Sequence, residues 1–175
     1  MAVIALAVTW LRENVYASVL LLLARLYIGW NWLQAGWHKI TQEGGFHADN
    51  FLQKAVENPV KSSDELVYPI YHAFLQHFAL PNAELFNLLV SWGEVLVGLG
   101  LILGCLTTAA GFFGMMMNFA FMFAGTVSTN PWMILFTLFI VFSGRNAGAI
   151  GIDRYLLPLM KNRFTKSKSN GSLGF

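Results

Sequence analysis

The chain has 175 residues, 56% of them hydrophobic and only 11% charged, with a net charge of +2. A soluble domain is nearer ~25% charged, and from Leu85 to Gly144 the only charged residue is Glu94. These figures exclude a disordered chain and argue against a nucleic-acid partner. The chain reads as an integral membrane protein.

No basic region precedes the apolar stretch Ala2 to Val8, and Arg12-Glu13 follows it. A cleaved leader has the opposite order, so these residues are expected to form a short amphipathic lead-in. A bilayer core needs about 20 apolar residues in helix. Four windows meet this: Val15 to Trp37, Ala83 to Leu103, Leu106 to Val127, and Pro131 to Ile150. They are too long, and alternate too little, to be barrel strands. Pro81-Asn82 predicts the start of the second span and Gly104 its end. Thr107 or Thr108 is expected to cap the third, and Asn130-Pro131 to open the fourth. The short links make the last three spans antiparallel neighbours. The expected fold is all-α: an antiparallel four-helix membrane bundle forming one domain over residues 1–160.

Orientation follows the cations beside the spans. Arg154, Lys161, Arg163, Lys166 and Lys168 follow the last span, whereas Lys39, Lys54 and Lys61 lie among five acidic residues in the loop after the first. Both termini are expected in the cytoplasm, with 161–175 a disordered basic tail. The segment at about 42–82 is too long for a plain connector. Ala48, Phe51, Leu52, Ala55 and Val56 fit one helical face, and Val67, Ile70, Tyr71, Phe74, Leu75 and Phe78 another. Ser62 and Glu65 offer a capping box before the second. Two short helices are therefore expected as an extracytoplasmic lid, the alternative being helices resting among lipid headgroups.

Each intramembrane charge alone costs roughly 2.5–3.5 kcal/mol. Counting from the outer span ends places Arg25 and Glu94 at similar depth, which predicts a buried ion pair between them. Such a pair can be a static register lock or a proton and substrate handle. Arg25, Gly29, Trp32, Gly36 and Lys39 share a face of the first span, and Tyr27, Asn31, Gln34 and His38 form a second stripe. Asn87, Ser91, Glu94 and Gly98 align on the second span, and Gly111, Gly114, Asn118 and Gly125 on the third. Small residues let membrane helices approach closely, and Asn118 suits an interhelical hydrogen bond. Trp30, Trp32, Trp37 and Trp132 fit an aromatic belt or a planar-ligand site. His38 and Lys39 cap the polar stripe and could attract an anion. The histidines match no metal motif, no haem or flavin site is evident, and the lone Cys105 excludes an internal disulfide.

Arg25-Leu-Tyr-Ile-Gly29, Ala35-Gly36-Trp-His-Lys39, Trp92-Gly-Glu94-Val-Leu-Val-Gly98, Asn130-Pro131 and Gly144-Arg145-Asn-Ala-Gly148 occur in an order that resembles the DoxX/DoxD family of small membrane proteins. Gly45-Phe46 and Asp49-Asn-Phe-Leu look closer to its DoxD-like branch. The resemblance implies a four-helix protein of a prokaryotic cell membrane. That branch is associated with thiosulfate:quinone oxidoreductase, in which thiosulfate is oxidised to tetrathionate and quinone accepts the electrons. Other members are linked to soluble sulfurtransferase and superoxide dismutase partners. On this reading Glu94 and Arg25 are the catalytic candidates. His38, Lys39, Trp37, Asn31, Gln34, Trp92 and Asn118 are the substrate and quinone candidates. Arg145 and Asp153 would form a second, structural pair at the cytoplasmic end. Either the reaction is direct within a ternary site or a partner subunit supplies the redox centre, and a homo-oligomer is compatible with the fold. Two other functions fit the same residues: a non-catalytic scaffold that docks soluble redox enzymes, and a small-solute carrier.

Overall fold

The computed structural model describes residues 2–161. Helix α1 (Ala2–Glu13) leads at Asn14 into α2 (Val15–Thr41), and the Asn14 side chain caps α2 by accepting from the Tyr16 N–H at 2.8 Å. After a Gly44-Gly45 turn comes α3 (Ala48–Glu57), then a two-stranded hairpin, β1 (Lys61–Ser62) and β2 (Glu65–Leu66). Helix α4 (Pro69–Phe74) runs through wider and tighter turns at 75–82 into α5 (Ala83–Leu103). Helices α6 (Thr107–Phe123) and α7 (Asn130–Ser143) follow, and a tight turn at 144–148 leads to α8 (Asp153–Lys161). The predicted tail at 161–175 lies, beyond Lys161, outside the described residues.

Helix α2 packs on α5, α5 on α6, α6 on α7 and α7 on α2. The α2–α5 seam is set by glycines. A Cβ on Gly36 would come within 2.9 Å of Ser91 and Val95, and one on Gly98 within 2.9 Å of Leu33 and Gly29. Only a residue without a side chain lets the two backbones lie this close. The core is apolar, with Leu21, Ile28, Trp32, Val97, Leu101 and Ile140 buried. A second apolar cluster joins Ala48, Leu52 and Ala55 of α3 to Leu75, Ala79 and Ala124.

The helices coincide with the four predicted windows, but their lengths differ. Among the described residues, only α2 (27 residues) and the continuous helical run Pro69–Leu103 (35 residues) are long and apolar enough to cross a membrane alone. The run Asn130–Gly148 with Asp153–Lys161 would make a third span, bent by 78°. Helix α6, with 17 residues, is only about 25 Å long at 1.5 Å per residue. All-α architecture with two or three membrane-capable helices is the result.

Three local expectations are corrected. Ser62 and Glu65 do not cap a helix: Ser63 and Asp64 take φ of 49° and 70°, the left-handed pair of a tight hairpin turn. Asn82 stands at the N-terminal boundary of α5, where Pro81-Asn82 predicted the second span to start, but its side chain does not cap the helix, and the helical run continues from Pro69. The wide turn at Leu75–Ala79 and the tight one at Leu80–Asn82 absorb the missing donor of Pro81, and Asn82 donates its side-chain amide to the Phe78 carbonyl. The wide turn also shifts the helical phase, so Leu75 and Ala79 are buried while Ile70 is 87% exposed. Third, Thr107 and Thr108 do not cap α6, as the next section shows.

Candidate functional site

Two buried polar clusters lie at different levels of the α2–α5 seam. The seam's register decides their membership. Gly36 faces Ser91 and Val95, Leu33 faces Gly98, Gly29 faces Ile102, and the Arg25 guanidinium reaches Gly104. Arg25 is thus level with a residue ten positions beyond Glu94 on α5, an axial offset of about 15 Å. The predicted Arg25–Glu94 pair does not form. Counting from assumed span ends misplaced the two charges, because α2 runs on to Thr41 and carries a different cation, Lys39, to Glu94.

At the first cluster, Glu94 Oε2 accepts from Lys39 Nζ at 2.6 Å. The Glu94 side chain is 2% exposed and that of Lys39 21%, so the pair connects the interior to the surface through the lysine. Lys39 Nζ also lies 5.5 Å from the centre of the Phe46 ring, a cation–π contact. Ser91 is buried one turn from Glu94. Asn118 of α6 is fully buried, and neither its Oδ1 nor its Nδ2 has a hydrogen-bond partner. The indole N–H of Trp32, also buried, is unpartnered too. Gly93 faces Met117 while Gly114 faces Trp32 and Val97. Asn118, beside Met117 and one turn from Gly114, is therefore level with Glu94. Buried polar groups without partners are rare and call for an explanation. Here one buried amide stands at the level of the ion pair, and an indole N–H stands about one turn away beside Gly114 and Val97.

At the second cluster, Arg25 is 1% exposed and donates to the carbonyls of Ala147 and Ile150, with Asp153 in electrostatic reach. The Asp153 carboxylate accepts from the N–H groups of Leu106 and Thr107 at 2.6 and 2.8 Å, capping α6 from outside its own sequence. Leu106 takes φ 49° to present its N–H there. The last carbonyls of α5, on Leu103 and Gly104, accept from the N–H groups of Ile152 and Asp153. Gly104 closes α5 in the left-handed conformation, φ 64°, as expected. Arg145 is exposed and makes no pair with Asp153, whose oxygens are taken by the α6 cap. Arg25 Nε and the Thr107 hydroxyl are this cluster's unpartnered atoms. The arrangement ties the ends of α5, α6 and α7 to α2, which is a structural task.

The other expected site residues divide by burial. Trp37 and Trp92 are 60% and 50% exposed, and His38 and Gln34 also point outward. Asn31 is half-buried and donates to the Tyr27 carbonyl on its own helix. None of these five joins the Glu94 cluster. Both stripes of α2 were expected to line one interior cavity; the face Arg25, Gly29, Trp32, Gly36, Lys39 is the inner one, whereas the stripe Tyr27, Asn31, Gln34, His38 lies outward. Asn87 accepts from the Ala48 N–H and fastens α3 to α5. Trp32 is the functional candidate that its sequence context hid, because an aromatic-belt role explains a tryptophan equally well. The glycines at 29, 36 and 98 held the missing signal, since they fix which residues of α2 and α5 are opposite.

Among the described residues no group of three or more His, Cys, Asp or Glu comes together to hold a metal. A family model described as DoxX matches residues 20–126, more than half of the chain. No curated protein and no solved structure matches it.

Proposed function

We propose a function from one premise: this chain belongs to the DoxX family of membrane proteins. The proposed role is a membrane subunit of a quinone-linked oxidoreductase, with the Lys39–Glu94 cluster as the quinone site. In this reading α2, α5, α6 and α7 form an antiparallel four-helix bundle across the cell membrane of a prokaryote. Helices α3 and α4 lie over its outer end as a lid, and both termini are cytoplasmic.

The observation that carries the proposal is the set of unpartnered groups beside the pair. Asn118 Nδ2 and Trp32 Nε1 are donors without acceptors, the first level with the Lys39–Glu94 pair and the second about one turn away beside Val97. A quinone carbonyl is an uncharged acceptor that suits such donors. A quinone takes up two electrons and two protons when it is reduced. Glu94 holds or relays a proton at Oε2, and Lys39, partly exposed, exchanges it with the surface. Lys39 also donates to an oxygen when Glu94 lets it go. Asn118 and Trp32 orient the ring, while Leu33, Val95 and Val97 around the seam keep bulk water out. Oxidation of two thiosulfates to tetrathionate releases two electrons, matching one quinone. Within this proposal a partner subunit passes those electrons on.

The test is a quinone titration of the protein in nanodiscs. Saturable binding is expected, and Trp32→Phe, which keeps the ring and removes the N–H, is expected to weaken it by about tenfold, equivalent to ~1.4 kcal/mol. Absence of saturable binding by the unsubstituted protein contradicts the proposal and leaves the pair a static lock, as a docking scaffold would have it.

A further inference from the structure

Helices α5 and α6 touch over less of their length than α2 does on α5. Between them runs a groove of about 810 Å³. It extends along α5 from Phe86 to Leu103, a distance of about 25 Å at 1.5 Å per residue. Phe51 and Tyr71 cover one end, and Leu103, Cys105 and Leu106 line the other. No charged side chain borders it; Tyr71 and Cys105 bring the only polar side-chain atoms, and the Tyr71 hydroxyl is engaged by the Ala120 carbonyl. Gly100 and Ala110 form its floor, close enough that a Cβ on Gly100 would come to 2.9 Å from that of Ala110.

Resting on the quinone reading above, we propose that this groove binds the polyisoprenoid chain of the quinone, with the chain running from the Lys39–Glu94 level toward Cys105. The charge pattern selects the occupant. A purely apolar channel has a buried ion pair at its Phe46 side, near mid-length along α5, and no charge from there to Cys105. Phe46 is the junction, since it borders the groove and also carries Lys39 Nζ over its ring. Gly93 and Met117 border the groove, and their chain neighbours Glu94 and Asn118 belong to the polar cluster. That layout matches an amphiphile with a small uncharged head and one long tail. A glycerophospholipid, with two acyl chains and a phosphate, is the competing occupant.

Two measurements test this. The first compares one quinone ring carrying either a single isoprene unit or a long polyisoprenoid tail, with affinities corrected for partition into the nanodisc. The long tail is expected to bind about tenfold more tightly or better, a difference of ~1.4 kcal/mol. Ala109→Trp fills the groove from a side chain that is otherwise exposed. It is expected to reduce the long-tailed affinity to the short-tailed value and leave the latter unchanged. The second uses a long-tailed quinone with a photoreactive group at the tail end, expected to label the peptide around Leu103 to Phe113. Equal affinities, an Ala109→Trp variant that binds as before, or labelling confined to Leu20 and Leu23 on α2 overturns the groove while leaving the head site standing. Co-purification of stoichiometric phospholipid that quinone does not displace also overturns it. Failure of both quinones to bind overturns the head site, and the groove with it.

Discussion

The two buried charge clusters are built from the same residue types and hold different kinds of partner. At the Asp153 end, the bonded groups point at backbone, Arg25 at the Ala147 and Ile150 carbonyls and Asp153 at the Leu106 and Thr107 N–H groups, while Arg25 Nε and the Thr107 hydroxyl are unpartnered. At the Glu94 end the pair is side chain to side chain, its lysine is partly exposed, and the Asn118 amide stands unpartnered at the same level. A charge that satisfies helix ends is fixed by the fold. A charge that faces only another flexible side chain can change partner. Burial alone does not mark function in a membrane interior; the kind of partner does.

The comparison can be broken by substitution, and the largest effect is expected at the structural end. Arg25→Met leaves the buried Ala147 carbonyl and the part-buried Ile150 carbonyl without their donor and Asp153 without its counter-charge. A loss of about 3–5 kcal/mol is expected, read as failed insertion or a collapsed thermal transition in detergent. If Arg25→Met instead spared stability and abolished quinone binding, the two clusters would have their roles exchanged. Gly98→Leu, at the α2–α5 seam, places a side chain where backbone lies within 2.9 Å. It is expected to cost about 3 kcal/mol or more and to disturb both clusters together, a joint loss that thermal unfolding and quinone titration would detect.

Smaller effects sharpen the same distinction. Asp153→Ala removes the α6 cap and is expected to cost about 1–2 kcal/mol in thermal unfolding, with quinone affinity unchanged. Asn118→Leu deletes a buried amide that has no partner in the fold. It is expected to change stability by less than about 1 kcal/mol and to weaken quinone binding. A large destabilisation by Asn118→Leu would mean that its amide is satisfied within the protein.

Much of this fold is written in hydropathy and spacing. The inner face of α2, the apolar windows at α5, α6 and α7, and the left-handed stop at Gly104 follow from local pattern. Three features required tertiary information. The α6 cap comes from Asp153, 46 and 47 residues away from the N–H groups it accepts from, so the nearer threonines were the only visible candidates. The hairpin at Ser62–Glu65 depends on two non-glycine residues in the left-handed region, which composition does not signal. The partner of Glu94 depended on register. Arg25 and Lys39 lie fourteen residues apart on one helix face, so either could have been matched to Glu94 until the close approach of Gly36 and Gly98 fixed the alignment. The exposed group Trp37, His38, Gln34 and Trp92 shows the converse: polar and aromatic residues near a site in sequence can lie on the opposite side of the helix.

The most direct test pairs stability with binding in a single variant, Glu94→Gln, which keeps size and a hydrogen-bonding oxygen for Lys39. The account predicts a thermal transition close to that of the unsubstituted protein and quinone affinity lowered by about tenfold or more, equivalent to ~1.4 kcal/mol. A variant that binds quinone as well as the parent, while losing much of its stability, would show that the Lys39–Glu94 pair is a structural tie like the one at Asp153 and not the site.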